Sequence, residues 1–206
     1  KINNLNIETT LDLDKLVFSK KFIDLNPYLK NTKEKIFLEK NKIQINYKKN
    51  KLAVKGSGSI FLTDKSEQIT YEIIRNNDQF SFNTKLNIKD NSFQINPLNY
   101  QKKEGADSTI LINGELKKDN SIEFQTISLE ENKNKILINN LQLSKDYKIL
   151  DIEKFNINYK NDNDFLNKLN LRKNGSNFII EGDSLDLARL INNIMDSDDE
   201  NSSIFQ

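Results

Sequence analysis

The sequence predicts a mainly β protein, a long antiparallel meander forming a curved, taco-like or groove-shaped sheet with a short C-terminal amphipathic helix. Three observations carry the β assignment. From about residue 42 onward, apolar residues recur at every second position in one segment after another, which puts them on one side of an extended strand. Short clusters rich in Asn, Asp, Gly and Lys separate these segments. Hydrophobic residues make up only 36% of the 206 residues and charged residues 30%. That is below the apolar share of about 45–50% usual for globular domains, but it suits a sheet with one apolar and one wet side.

The first forty residues are the least regular. "INNLNIE" and "LDLDKLVF" alternate and read as strands, whereas Lys21 to Phe37, which contains Pro27, reads as irregular or partly helical. The alternating set then runs through Ile43, Ile45 and Tyr47, Val54, then Ile69, Tyr71 and Ile73, then Phe80 and Phe82, Ile88, and Phe93 and Ile95. It continues with Ile110 and Ile112, Ile122 and Phe124, Ile136 and Ile138, Leu141 and Leu143, then Phe155, Ile157 and Tyr159, and finally Phe178 and Ile180. Between them lie "KKNK", "TDKSEQ", "RNNDQ", "KDNS", "KKDNS", "ENKNK", "KNDND" and "RKNGSN". Links this short make neighbouring strands antiparallel, because parallel pairing needs a crossover of about a dozen residues.

Three glycine sites refine the picture. Asn174–Gly175 reads as a hairpin turn, and Asn113–Gly114 as either a turn or an in-strand bulge. Gly56 and Gly58 precede "SIFLTD", a strand pattern, so they mark a curved strand or bulge; a phosphate cradle needs a helix at that point. The end of the chain changes period. In "DSLDLARLINNIM" the residues Leu187, Leu190, Ile191 and Ile194 have helical spacing, with Asp183 or Ser184 available as cap. Such a helix covers a sheet edge or acts as a lid. Residues 1–195 therefore read as a single β-rich domain and 196–206 as an acidic polar linker or tail. A chain that starts at Lys1 and not Met is expected to be a segment of a longer polypeptide.

Catalytic chemistry finds no foothold. Cys and His are absent, and no serine lies in a G-x-S-x-G elbow. Glu130 and Glu131 are adjacent, so on a strand they point to opposite sides. Asp162 and Asp164 belong to turn chemistry, and "DSDDENSSIFQ" lacks the glycine and the final glutamate of a calcium loop. No catalytic residue, metal or cofactor is expected. A net charge of +1 provides no field to attract nucleic acid, and Lys20–Lys21, Lys48–Lys49, Lys102–Lys103 and Lys117–Lys118 read as solvated turn residues. The apolar side of the sheet must still be covered by something.

The meander "KIQINYKKNKLAVKGSGSIFL", the segment "ISLEENKNKILINNLQLSKDYKI" and the closing "FIIEGDSLDLARLINNI", with Gly182 and Asp186, resemble the AsmA/TamB-like superfamily. The likeness is to the AsmA-like domain of its YhdP-type members in Gram-negative envelopes, and it runs from about Ile43 to Met195. It implies a periplasmic segment of an inner-membrane-anchored protein whose apolar β-groove carries phospholipid acyl chains between the two membranes. The alternating residues from Ile43 to Ile180 named above would line that groove. Its partners would be phospholipid, neighbouring β-domains of the same polypeptide, and membranes reached through regions outside this segment. The alternative is a non-enzymatic envelope scaffold or interaction module with a closed β-sandwich core.

Overall fold

The computed structural model describes residues 5–18 and 25–188. Its strands are β1 (Asn6–Phe18), β2 (Ile36–Lys48), β3 (Lys51–Phe61), β4 (Ser66–Asn76), β5 (Gln79–Ile88), β6 (Phe93–Ile95) and β7 (Tyr100–Lys102). They continue with β8 (Ser108–Leu116), β9 (Ile122–Glu131), β10 (Asn134–Leu143), β11 (Ile149–Lys160), β12 (Leu166–Asn174) and β13 (Asn177–Ser184). All but β6 and β7 form one 11-stranded antiparallel sheet in chain order, and those two make a separate ribbon joined by a 3₁₀ turn at Asn96–Leu98. β1 and β13 are the sheet's edges.

The sheet is neither closed nor strongly curled. The described residues make one large layer, so the closed sandwich is not the architecture, and these strands by themselves do not roll into the expected taco. Residues 25–35 are turns and bends ahead of β2, as expected for that part of the irregular Lys21–Phe37 stretch, but Ile36 and Phe37 open β2. Asn6–Glu8 of "INNLNIE" runs on with "LDLDKLVF" in the single strand β1. Leu190, Ile191 and Ile194 of the expected helix, the pair Lys20–Lys21 and the acidic tail lie outside the described residues. Asp183 and Ser184 belong to β13, and it is the Asp186 carboxylate that accepts from the Ala188 backbone N–H, at 3.1 Å.

The turn clusters fold as their residues dictate. Lys49 and Asn50 both have positive φ (48° and 66°), the backbone of a hairpin turn matched to strand twist. Gly175 (φ 62°) closes the β12–β13 hairpin. Gly114 is an in-strand residue, with the register slipping beside it. A second irregularity spans three neighbouring strands. Phe124 and Ile127 on β9, Ile138 and Leu141 on β10, and Ile152 and Phe155 on β11 share one side although two residues lie between the members of each pair, because the pairing skips Gln125, Asn140 and Glu153. Asn140 takes φ 49° there.

Gly56 has a contact role. β3 pairs with β4 in unbroken register, and the slip in this region lies in β2 between Glu39 and Lys42, so Gly56 and Gly58 do not mark a bulge of their own strand. The Tyr71 ring lies across Gly56, and a Cβ there would stand 2.2 Å from the ring. Gly56→Ala should therefore cost about 1–3 kcal/mol in urea denaturation. In a Tyr71→Ala background most of that cost should vanish, and an undiminished cost would disprove the contact.

Candidate functional site

Residues paired directly across an antiparallel sheet share a side, so the register identifies which side chains lie together. Ile69, Leu86, Ile110, Leu129, Ile136, Ile157 and Leu169 form one continuous row. The next row is Tyr71, Thr84, Ile112, Ile127, Ile138, Phe155, Leu171 and Ile180. Beyond it run Ile45, Val54, Ile73, Phe82, Gly114, Phe124, Leu141 and Ile152, and last Tyr47, Leu52, Arg75, Phe80, Leu116, Ile122, Leu143 and Ile149. The opposite side is polar, as in the row Gln44, Lys55, Glu72, Asn83, Asn113, Thr126, Asn139, Lys154 and Arg172. Every residue expected to line a groove falls on the apolar side except Phe93 and Ile95. Those two belong to the β6–β7 ribbon.

One end of this side is covered. Leu29, Phe93 and Tyr100 pack with Leu38, Ile60, Leu62, Ile88, Leu129, Ile136, Ile157 and Tyr159 in a buried cluster. Phe93 and Ile95 thus help to form the cover and are not groove wall. Likewise Ile88, Ile136, Ile157 and Tyr159 lie beneath it. The Tyr100 ring meets Tyr159 edge-on at 5.3 Å and Phe93 at 5.9 Å.

Buried polar groups fasten the cover. Glu67 accepts from the backbone N–H groups of Lys89 (2.8 Å) and Asn91 (2.7 Å), and from the Asn91 side chain (2.8 Å). Lys102, expected as a solvated turn residue, is fully buried, and its ammonium donates to the carbonyls of Lys89 and Asn91, each at 2.7 Å. Burial pushes its pKa down, with Glu67 and Glu131 opposing. The Tyr100 hydroxyl donates to Glu131 at 2.5 Å and the Tyr159 hydroxyl to the Leu98 carbonyl. Burial drives both phenol pKa values up, and Glu131 adds to the rise at Tyr100. The Asp186 carboxylate accepts from Asn99 at 2.9 Å and Asn161 at 3.0 Å, linking the chain after β13 to the ribbon. Glu131 faces this cluster while Glu130 is exposed beside Lys135, the opposed pointing that adjacent strand residues require. With its donors and acceptors engaged and Lys102 sealed from solvent, the cluster holds structure together.

The other end of the apolar side carries no cover among the described residues. Ile73 is 44% exposed, Phe80 38%, Phe178 48% and Ile180 62%. Phe82 and Phe124 meet edge-on at 5.8 Å across Gly114, where a Cβ would come within 2.8 Å of the Phe82 ring. Ile43 and Leu141 are buried yet lie outside the covered cluster. At the hairpin rim a cleft of about 640 Å³ opens between Tyr47, Leu52, Arg75 and Lys118. The Arg75 guanidinium sits 5.4 Å from the centre of the Phe80 ring.

No cluster of three or more potential metal-ligating residues occurs among the described residues. Asp162 and Asp164 occupy the β11–β12 turn and pair with Lys103 and Lys160. What the arrangement offers chemically is an apolar surface about half a sheet long, bordered by polar turns. Comparison with family models, curated proteins and solved structures finds no match for this chain.

Proposed function

We propose that the uncovered half of the apolar side binds acyl chains and that the chain is a periplasmic segment of an AsmA-like bridge that conducts phospholipid between inner and outer membranes, without catalysis. The observation that carries the reading is the row from Ile45 to Ile152, an unbroken apolar strip whose members Ile73 and Phe82 lie under no second layer among the described residues. Apolar surface of this extent on one side of a sheet is the signature of a ligand or partner. Ile, Phe and Leu with few polar groups suit a ligand recognised by greasiness and not by hydrogen bonds. The groove would become taco-like when lipid and the neighbouring β-domains of the parent polypeptide complete it. The resemblance to AsmA/TamB-like sequences supports the envelope setting.

Mass spectrometry of protein purified from membranes without detergent stripping tests this. Phospholipid should co-purify and exchange with added monoacylglycerol. A preparation free of lipid that also ignores monoacylglycerol would remove the reading. A second reading, an envelope scaffold, is favoured by the outer edges of β1 and β13, which pair with nothing among the described residues and offer sites for strand addition.

A further inference from the structure

The hairpin rim of the uncovered end differs in charge from the covered end. Its turns, 48–51, 76–79, 117–121, 144–148 and 174–177, hold seven lysines against three aspartates, whereas the described connections at the covered end, 25–35, 62–66, 89–107, 131–134 and 160–165, hold nine lysines against eight acidic residues. The larger excess of positive charge therefore borders the apolar half that is open, and the covered end is close to balance.

Arg75 occupies a special place within that rim. In the outermost apolar row it stands between Leu52 and Phe80, where the alternation calls for a greasy residue. Its Nε donates to the Asn77 carbonyl at 3.1 Å, and its guanidinium lies over Phe80. These contacts fix the plane of the guanidinium at the mouth of the 640 Å³ cleft, with Tyr47 and Leu52 beside it. Lys118 lines the same cleft, and its contact with Asp78 is loose, 3.9 Å between groups that are each 74% exposed. Such a pair is screened and easily exchanged for a better partner. Lys117, by contrast, is committed to Glu115 and Glu123, which push its pKa up to about 12.

We infer that this cleft binds the phosphate of an anionic lipid headgroup, with Arg75 and Lys118 as its ligands and the acyl chain running from Tyr47 and Leu52 onto the row of Ile73 and Phe82. A planar guanidinium matches two phosphate oxygens, and a flexible ammonium supplies a second charge. The inference rests on the acyl-chain reading above and adds polarity to it: headgroup at the hairpin rim, tail toward the covered end. Asp78 opposes the anion, so selectivity depends on both cations.

Calorimetry with micelle-free ligands tests it, using short-chain lysophosphatidylglycerol, monoacylglycerol of the same chain length, and inorganic phosphate. The anionic lipid should bind about tenfold more tightly than monoacylglycerol, the equivalent of one charge-assisted contact. Inorganic phosphate alone should bind far more weakly than either. Arg75→Gln with Lys118→Gln should erase the preference, bringing the affinity for the anionic lipid to that of monoacylglycerol measured on the same variant. If monoacylglycerol binds as well as the anionic lipid, or the double variant keeps the preference, the headgroup inference is overturned while the acyl-chain reading stands. If inorganic phosphate matches the anionic lipid, the cleft is a simple anion site and the inference is also overturned. If no acyl ligand binds, the acyl-chain reading falls and takes the inference with it.

Discussion

Ile157→Asp should remove about 4 kcal/mol or more of stability, whereas Ile73→Asp should cost about 1 kcal/mol and instead abolish acyl-chain binding. Both residues sit in sheet interiors on the same apolar side, so the strand-propensity cost of Asp is shared and cancels in the comparison. They differ in what lies above them. Ile157 is 1% exposed beneath the ribbon and the residues around Leu29, so a carboxylate there loses its water and gains no partner. That loss is a large fraction of the roughly 5–15 kcal/mol that holds a typical domain folded. Ile73 is 44% exposed, and a carboxylate there stays hydrated. Its charge, however, would stand in the path of a hydrocarbon chain. Urea denaturation followed by circular dichroism measures the first effect and monoacylglycerol calorimetry the second. Equal destabilisation by the two substitutions would mean that another layer covers Ile73.

Stability should also collapse on the alkaline side, steeply above pH about 10, where free tyrosine ionises. Tyr100 and Tyr159 are 2% and 0% exposed, and both phenol pKa values are raised in the fold by burial. The folded protein therefore keeps protons that the unfolded chain releases. A group raised in this way gives its full stabilisation below the unfolded pKa and loses it as pH climbs, at about 1.4 kcal/mol per pH unit for each tyrosine. Tyr71, raised by burial as well, acts in the same direction. Lys102 acts oppositely, because its lowered pKa makes stability rise with pH. That rise is complete by about pH 10.4, the ordinary lysine value, so Lys102 no longer opposes the fall beyond it, and Lys117, whose pKa is raised by Glu115 and Glu123, acts in the same direction as the tyrosines. Urea midpoints measured from pH 8 upward should fall sharply past about 10. Tyr159→Phe should flatten the fall, and a variant that loses stability in parallel with the parent would refute the assignment. Tyr100→Phe should flatten it further while lowering stability at neutral pH, since Glu131 loses its 2.5 Å donor.

The rhythm of alternating residues makes the strands and the apolar side legible in the sequence alone. Ile45, Ile73, Phe82 and Ile138 declare their side by spacing alone, and the turn clusters mark each reversal. Two things were hidden. Whether the apolar side is covered depends on residues 25–35 and on the β5–β8 connection, whose packing against Ile88, Leu129 and Ile157 is set by tertiary contacts and not by any local pattern. Phe93 and Ile95 alternate like sheet residues, yet they pair only with β7. Lys102 was readable in part, since it stands two residues after Tyr100 and so shares its side of a strand. Its burial among carbonyls follows from Glu67 and Asn91 on other segments. For the candidate site, spacing identified the apolar strip, but the mouth at Arg75 and Lys118 emerges only when three hairpins are brought side by side.

The skipped positions Gln125, Asn140 and Glu153 lie abreast on β9, β10 and β11. Deleting one residue from any single member of this trio would turn half of that strand inside out relative to its two companions, setting amides against isoleucines. These three strands are therefore locked to one another in phase: a shift is tolerable only when all of them make it at once.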